Sequence, residues 1–559
     1  MPLLLYNNRT SNANLFYNYV RNNFAHNSKL IYNQGSINLS HNYFENNSAN
    51  STIYVEDGNV SFALNNFFNN HAETGGVIYI GGGMVNVTSN NFHNNSVNNS
   101  GGVIVNDRGN LLSKSNTYFN NSAGKGAAIY TTNATTVLIN DIVKYNNAYL
   151  GSAILSENNS ILLIQNTTIS NNTAINKGAA IYSNNSIISI NDSNIYNNIG
   201  EYGAGLCIYN NSVLRLTNVL LTNNNATYSG GALYSNNSAV LIYNSRLIKN
   251  NALNGVGGCL SCVETSLTIN NSNFTGNTAN YGGAIAQLSQ KFTTIDDSLF
   301  ANNNATYDGG ALYFVYGLIN INSTKFSNNI ATNKAGAIYT RYVSVISCDS
   351  SLFDINNHAS NGSVVYAYKS SLMFENNIIL SGEQNLIYMN NSTYDLNANW
   401  WGLNNPNFHI ITNNITPDNW RVLYVSVYKN NSIKQLNISI NILSDGSITT
   451  ENILSRAVVT LYNSSSDVHY IEDNISITYN ASVGNITVLM DNQQINIDNQ
   501  IDSYIIIKDV YAKVNENISF IIHTNAKNGK FVIKVNGKTI KDETGRVIYA
   551  KKYKWNMHI

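Results

Sequence analysis

Between residues 226 and 235 the chain reads ATYSGGALYS, and 79 residues later, at 305–314, it reads ATYDGGALYF. A fixed internal period is the signature of a repeat architecture, in which one supersecondary unit is stacked many times. Registering the chain on the glycine pair extends the pattern: GGVIY starts at Gly75, GGVIV at Gly101, GAAIY at Gly126, GSAIL at Gly151, GAAIY at Gly178 and GAGLC at Gly203. GGALY follows at Gly230, GGCLS at Gly257, GGAIA at Gly282, GGALY at Gly309, AGAIY at Ala335 and GSVVY at Gly362, so successive starts lie 25 to 27 residues apart. A second marker keeps the same beat. An aromatic or aliphatic residue stands three before an asparagine, as in Phe44 and Asn47, Phe92 and Asn95, Phe274 and Asn277, Phe300 and Asn303, and Phe326 and Asn329.

Each unit alternates polar and apolar residues over short runs and has no apolar spacing of three and four, so it reads as strands separated by bends. Three strands and three bends fill about 26 residues, too few to bury an apolar face alone but enough when coils stack. The expected fold is all-β: a right-handed parallel β-helix of three short strands per coil. At about 4.8 Å per coil, some 14 or 15 coils make a rod on the order of 70 Å long. The recurrent Phe would stack inside, each worth about 2 kcal/mol on burial. The asparagine three residues on would bond its copies above and below, as amide ladders do. Other asparagines suit the left-handed bends, and the glycine pair suits a positive φ or a close backbone approach. In GGAIY, Ile is expected inside and Tyr outside. Tyr79, Tyr130, Tyr182, Tyr234, Tyr313 and Tyr339 would then line one side of the rod, either as a binding stripe or as a row of tolerated β-formers.

Composition fits an extended ordered rod. The 559 residues carry 31 basic and 31 acidic side chains, only 11% charged in all, and 37 Tyr against 3 Pro. Asparagine makes up about a fifth of the chain, far from ordinary domain composition. A balanced, sparse charge excludes the electrostatic footprint of a nucleic-acid binder. No run approaches the roughly 18 apolar residues of a membrane span, and MPLLLYNNRTSNANLFYN lacks the charged and apolar regions of a signal peptide.

The GGA[IL] and F-x-x-N markers resemble the repeats of chlamydial polymorphic outer-membrane proteins. With its Asn and Tyr richness the chain resembles more closely the adhesin-like surface proteins of methanogenic archaea. Residues 397–407, NANWWGLNNPN, are similar to the sequence that ends the β-helix in those proteins. The indole pair Trp400 and Trp401 would lid an exposed apolar cross-section. Strand-like runs at spacings near ten residues follow from about 420 and suggest an immunoglobulin-like sandwich. A second such unit starts near Val510, with NGK from Asn536 and ETGR from Glu543 as hairpin turns. It has too few strands for a sandwich and reads as incomplete. The expected organisation is thus a pectin-lyase-like β-helix over 1–398, a Trp-rich lid and linker over 399–419, an Ig-like sandwich over 420–509 and a partial one over 510–559.

The resemblance implies a non-catalytic, extracellular, cell-surface protein attaching to a carbohydrate or to a surface protein of another cell. It would be a monomeric rod without cofactor, metal, nucleic acid or membrane insertion. Two alternatives share the scaffold: a polysaccharide lyase or hydrolase, and a structural component of a wall or surface layer. Hydrolysis needs paired carboxylates. Asp296 and Asp297 in TIDDS are adjacent but lack the accompanying NTD, GHG and RIK motifs. A lyase needs clustered acids and a base, whereas these acids are scattered singly. Cys259 and Cys262 form a CxxC on a strand, where residues three apart lie about 10 Å apart and face opposite ways. With Cys207 and Cys348 coils away, four unpaired thiols are expected. The 9 His form no metal-ligand spacing, and His71 and His358 follow the Asn marker as bend residues. N-x-S/T sequons such as that at Asn391 permit glycosylation of a secreted form.

Overall fold

The computed structural model describes residues 4–430 apart from 99–100, 381 and 383–384. Beyond them it describes 433–451, 453, 457–462, 466–471, 474–480, 486–497, 505–507, 519–524, 529–535, 538–545 and 552–554. Up to Asp395 the chain winds as a parallel β-helix of right-handed type with about 15 coils. One coil shows the plan: Asn225–Ser229 and Leu233–Asn236 flank the glycine pair, then come Ala239–Tyr243 and Arg246–Ile248. Stacking gives three parallel sheets of 27, 16 and 15 strands, the largest taking the two segments folded about the glycines. Partners are coil-to-coil equivalents, for example Leu233 with Leu260 and Ile242 with Ile269. The sole helix among the described residues is the single turn Phe408–Ile411.

The core is built from columns. Phe44, Phe67 and Phe92 stack with ring centroids 4.7 and 4.9 Å apart. The same column holds Phe274, Phe300, Phe326 and Phe353, spaced 4.8, 5.3 and 4.9 Å. Aliphatics fill the middle coils, where Ile169, Ile195, Leu221 and Leu247 are fully buried.

Three residues beyond each of these runs the asparagine ladder. Asn224 is typical: its Nδ2 donates to Asn250 Oδ1 and to the Ile195 carbonyl, each at 3.0 Å. Its Oδ1 accepts the backbone N–H and the Nδ2–H of Asn198 at 3.2 and 3.0 Å. Both amide protons and both oxygen lone pairs are thus used, in a position with no exposed surface. A second ladder runs five residues earlier and escaped the sequence reading. It begins as Asn18, Asn42, Asn65, Asn90 and Asn116, passes through Asp141, and continues as Thr167, Ser193, Ser245, Ser272, Ser298 and Thr324. Val219 is its apolar gap, with its N–H donating to Ser245 Oγ. Because Asn gives way to hydroxyls, no single letter marks this column in the sequence.

The bends explain the remaining asparagines. The residue before each ladder position has a left-handed φ: Asn197, Asn223 and Asn302 at 55, 53 and 56° before the first ladder, Asn218, Asn244 and Asn271 at 56, 49 and 45° before the second. Asn tolerates this conformation better than other non-glycine residues. Both expected roles of the glycine pair are present. Gly309 has φ 71°, and a Cβ on Gly310 would sit 2.2 Å from the Gly336 carbonyl oxygen. Ala335 replaces the first glycine at φ 59°.

The rod ends at the two tryptophans, which face different ways. Trp401 joins the interior cluster with Phe408 and Trp420. Trp400 joins a second cluster and donates from Nε1 to Asp491 Oδ2 at 2.7 Å. That second cluster contains Val425, Leu436, Ile438 and Ile440 from a three-stranded antiparallel sheet (421–430, 433–443, 474–480). It also contains Val488 and Met490 from a four-stranded one (466–471, 457–462, 486–490, 493–497). Arg421, without exposed surface, ties the last coil to the first sheet, donating to the Ala398 carbonyl at 2.8 Å, Asn376 Oδ1 at 2.8 Å and Asn441 Oδ1 at 3.2 Å. A buried guanidinium is tolerable because its donors are matched.

Ile505–Ile507 pairs with Ser519–Thr524, one strand on each side of the boundary expected at 509–510. Val535 pairs with Lys538, closing a hairpin over the NGK segment, whose Asn536 and Gly537 lie outside the described residues. Of the ETGR segment expected as a turn, Glu543 to Gly545 instead continue the strand Lys538–Gly545, paired to Phe531 through Gly529, and Arg546 lies outside the described residues.

Removing one ladder amide strands donors and acceptors on both neighbouring coils. Asn224→Ala should therefore cost about 2–4 kcal/mol, read as a lower urea midpoint, whereas Asn223→Gly, at the adjoining left-handed bend, should be near neutral. Ala335→Gly should stabilise by up to about 1 kcal/mol by relieving the left-handed strain, raising the melting temperature.

Candidate functional site: an outward tyrosine column

The strand after the glycine corner alternates strictly, so Leu233 enters the core and Tyr234 points out. Coil-to-coil register therefore stacks the tyrosines. Tyr79, Tyr130, Tyr182, Tyr234, Tyr313 and Tyr339 occupy one column, interrupted by Val105, Leu155, Cys207, Ser261 and Ala286. Tyr6, Tyr32 and Tyr54 precede them and Tyr366 and Tyr388 follow. Tyr32 and Tyr54 carry no mark in the sequence, because their coils lack the glycine pair. Tyr366, in GSVVY, was legible by the same rule that found the others.

The rings form two flat stacks at the ends of the column. Tyr6, Tyr32, Tyr54 and Tyr79 are spaced 5.4, 5.4 and 5.0 Å, and Tyr313, Tyr339, Tyr366 and Tyr388 are spaced 4.7, 5.6 and 5.1 Å. Stacking hides the ring faces, leaving Tyr339 only 5% and Tyr366 only 6% exposed. What solvent meets is a row of phenol edges and hydroxyls, less open than a stripe of free rings. Burial, the leading cause, pushes the phenols of Tyr79, Tyr130 and Tyr339 upward and that of Tyr182 to about 12, so they remain neutral hydrogen-bond donors.

Charged side chains of both signs flank the column. Near its start Lys29 Nζ lies 3.6 Å from the Tyr54 ring centre, after which Tyr79 donates to Asp107 Oδ2 at 2.9 Å and Tyr130 donates to Glu157. Toward the C-terminal side the neighbours are Asp308 and a group of cations. Lys334 Nζ lies 4.8 Å from the Tyr366 ring centre, and the Arg341 guanidinium lies 5.0 Å from Tyr342 and 5.9 Å from Tyr368. Lys334, Tyr339, Arg341, Tyr366, Tyr368 and Asn390 line a groove of about 290 Å³.

The other candidate chemistry is dispersed. Asp296 ends a strand at the opposite corner, its carboxyl raised first by burial and then by Asp297. Its column neighbours are Asn270 and Asn322. All four cysteines are free and buried, and burial pushes each thiol up, Cys262 to about 12, which leaves them protonated. Cys259 and Cys262 do not face opposite ways, contrary to expectation. Cys259 lies at the corner before the strand Leu260–Val263, so the chain turns between them and both enter the core. His71 opens a strand, with its Nδ1 2.9 Å from Ser96 Oγ, and His358 bridges to Ile330. Among the described residues no three His, Cys, Asp or Glu side chains gather as a metal site, and no helix is long and apolar enough to cross a membrane.

One buried acid stands out. Asp141 occupies the second ladder, accepting the Asn116 N–H at 2.6 Å while its Oδ2 has no partner. Ser113 and Tyr118, themselves bonded at 2.8 Å, stand beside it inside the coil. Burial, only partly opposed by these hydrogen bonds, raises its carboxyl to about 6. A folded-state value above the unfolded one means that stability falls as pH rises from about 4 to about 6 and is then flat. Asp141→Asn restores an amide with both donors and acceptors. It should raise stability by about 1–3 kcal/mol at pH 7, with the gain shrinking toward pH 4 in thermal melts.

Residues 166–184, 218–236, 297–315 and 323–341 match the repeat of the Chlamydia polymorphic membrane protein. Each match covers the same part of a coil: the inward residue (Ile169, Leu221, Phe300, Phe326), the ladder asparagine (Asn172, Asn224, Asn303, Asn329), the corner and the outward tyrosine (Tyr182, Tyr234, Tyr313, Tyr339). No curated protein and no solved structure matches the chain.

Proposed function

We propose that the chain is a non-catalytic, extracellular cell-surface protein of the adhesin-like kind. Its β-helical rod would stand on immunoglobulin-like modules and attach to a glycan, a wall or another cell. The observation that carries this reading is the outward tyrosine column, repeated through coils that match a surface-protein repeat. A regular column of neutral donors along a rigid rod suits a repeating polymer better than one small substrate. The two antiparallel sheets after the rod supply strands for stalk modules, and the Asn and Tyr richness supports kinship with the surface proteins of methanogenic archaea. The acids support the non-catalytic reading, because Asp296 is flanked in the stack by Asn270 and Asn322 rather than by a carboxylate from a neighbouring coil.

Beads coated with the purified chain, offered whole cells, isolated walls and a panel of neutral and acidic polysaccharides, should be retained on at least one without releasing reducing or unsaturated sugar. Product release abolished by Asp296→Asn would overturn the reading in favour of an enzyme. Retention on none of them, with self-assembly into sheaths, would overturn it in favour of a structural layer.

A further inference from the structure

We propose that the groove at the C-terminal end of the tyrosine column is a binding site for an acidic polysaccharide, its carboxylate or sulfate groups held by Lys334 and Arg341. This rests on the attachment reading and names its ligand class. The groove spans three successive coils: Lys334, Tyr339 and Arg341 on one, Tyr366 and Tyr368 on the next, Asn390 on the third. At about 4.8 Å per coil its ends lie about 10 Å apart. An extended 1,4-linked pyranose chain advances by close to one coil height per sugar. A polymer laid along the rod therefore sets one sugar against each coil, the first against Lys334, Tyr339 and Arg341, the next against Tyr366 and Tyr368 and the third against Asn390.

The groove's charge is mainly positive and is not neutralised by a direct ion pair. Among the described residues neither Lys334 nor Arg341 has a carboxylate within 4 Å, the ion pair of this region being Lys325 with Asp354 on another sheet. Lys369 adds a third cation, 5.4 Å from the Tyr368 ring, against one nearby carboxylate, Asp308, which faces Lys334. Tyrosine rings hold both cations of the groove. Lys334 lies over Tyr366 and Arg341 over Tyr342 and Tyr368, so the side chains are placed without being neutralised. Guanidinium and ammonium donors in such positions bind carboxylate and sulfate strongly, and Arg does so through two parallel bonds. The Tyr339 hydroxyl and the Asn390 amide add neutral donors suited to sugar hydroxyls. The rest of the column is a built-in contrast: at Tyr79 and Tyr130 the hydroxyls are taken by Asp107 and Glu157, which repel an anionic chain. The groove is thus tuned to an anion where the Tyr79–Tyr130 stretch is not; at the opposite end Lys29, 3.6 Å from the Tyr54 ring centre, has the Glu56 carboxylate acting on it.

The test measures binding of the full chain to immobilised polygalacturonate, dextran sulfate and uncharged dextran, and to whole cells. Wild type should bind at least one anionic polymer in a salt-sensitive way, the responding polymer telling carboxylate from sulfate. K334Q/R341Q, and the exposed single change R341Q, should weaken it. The double variant should lose roughly ten- to a hundredfold with an unchanged melting temperature. Tyr130→Phe at the acidic end should bind as wild type. Wild-type affinity in the folded double variant would overturn the groove assignment. So would wild-type binding to cells or dextran but to neither anionic polymer, and in both cases the attachment reading survives. Binding to none of the four would sink both.

Discussion

The carboxamide of one asparagine per coil is the interaction on which the rod depends. A primary amide alone among uncharged side chains offers two donors and two acceptors in one plane. Asn224 uses all four, one donor toward the next coil at Asn250, and the other donor and both lone pairs toward the coil before, at Ile195 and Asn198. The ladder therefore runs unbroken from Asn23 through Asn47 to Asn357. Hydroxyls in the second ladder pass a single bond from coil to coil, as from the Ser272 N–H to Ser298 Oγ. Asp141 shows what a carboxylate does in the same place, since it accepts but does not hand a side-chain donor on.

Stacking also explains a composition with so little charge. Every outward position in the rod lies about 4.8 Å from its equivalents on the coils above and below. A like charge repeated there would repel its own copies. Neutral Asn, Tyr, Ser and Thr carry no such cost, and exposed pairs such as Asn120 with Asn94 bond along the column instead. Lys334 and Asp308 set opposite charges on adjacent coils of one column, and where two acids do meet, at Asp349 and Glu375, burial and then the neighbouring carboxylates push the Glu375 carboxyl up.

Much of this was legible in the sequence, because register turns sequence period into spatial column. The glycine and F-x-x-N markers located the coil, the inward Ile or Leu, the outward Tyr and the first ladder. The second ladder was hidden because its chemistry, not its letter, is conserved along the stack: Asn116, Thr167 and Ser272 each supply an acceptor to the coil before. The opposite facing expected of Cys259 and Cys262 failed because a strand rule was applied across a corner. The groove was not legible either. Lys334, Arg341, Tyr368 and Asn390 come from three coils and two sides of the corner, and their meeting depends on the bend at Ala335 and Gly336. The antiparallel sheets beyond Trp420 announce themselves by strand spacing, but Arg421, which anchors them to the rod, has no signature beyond being an arginine in an apolar run.

The most direct test of the account is side-chain amide hydrogen exchange in the chain labelled with nitrogen-15 at asparagine. The ladder amides, such as those of Asn224, Asn250, Asn277 and Asn303, are predicted to exchange only with unfolding of the coils that hold them. Surface asparagines such as Asn302 should exchange as fast as in a peptide. Equally fast exchange at ladder and surface positions in the folded protein would contradict it.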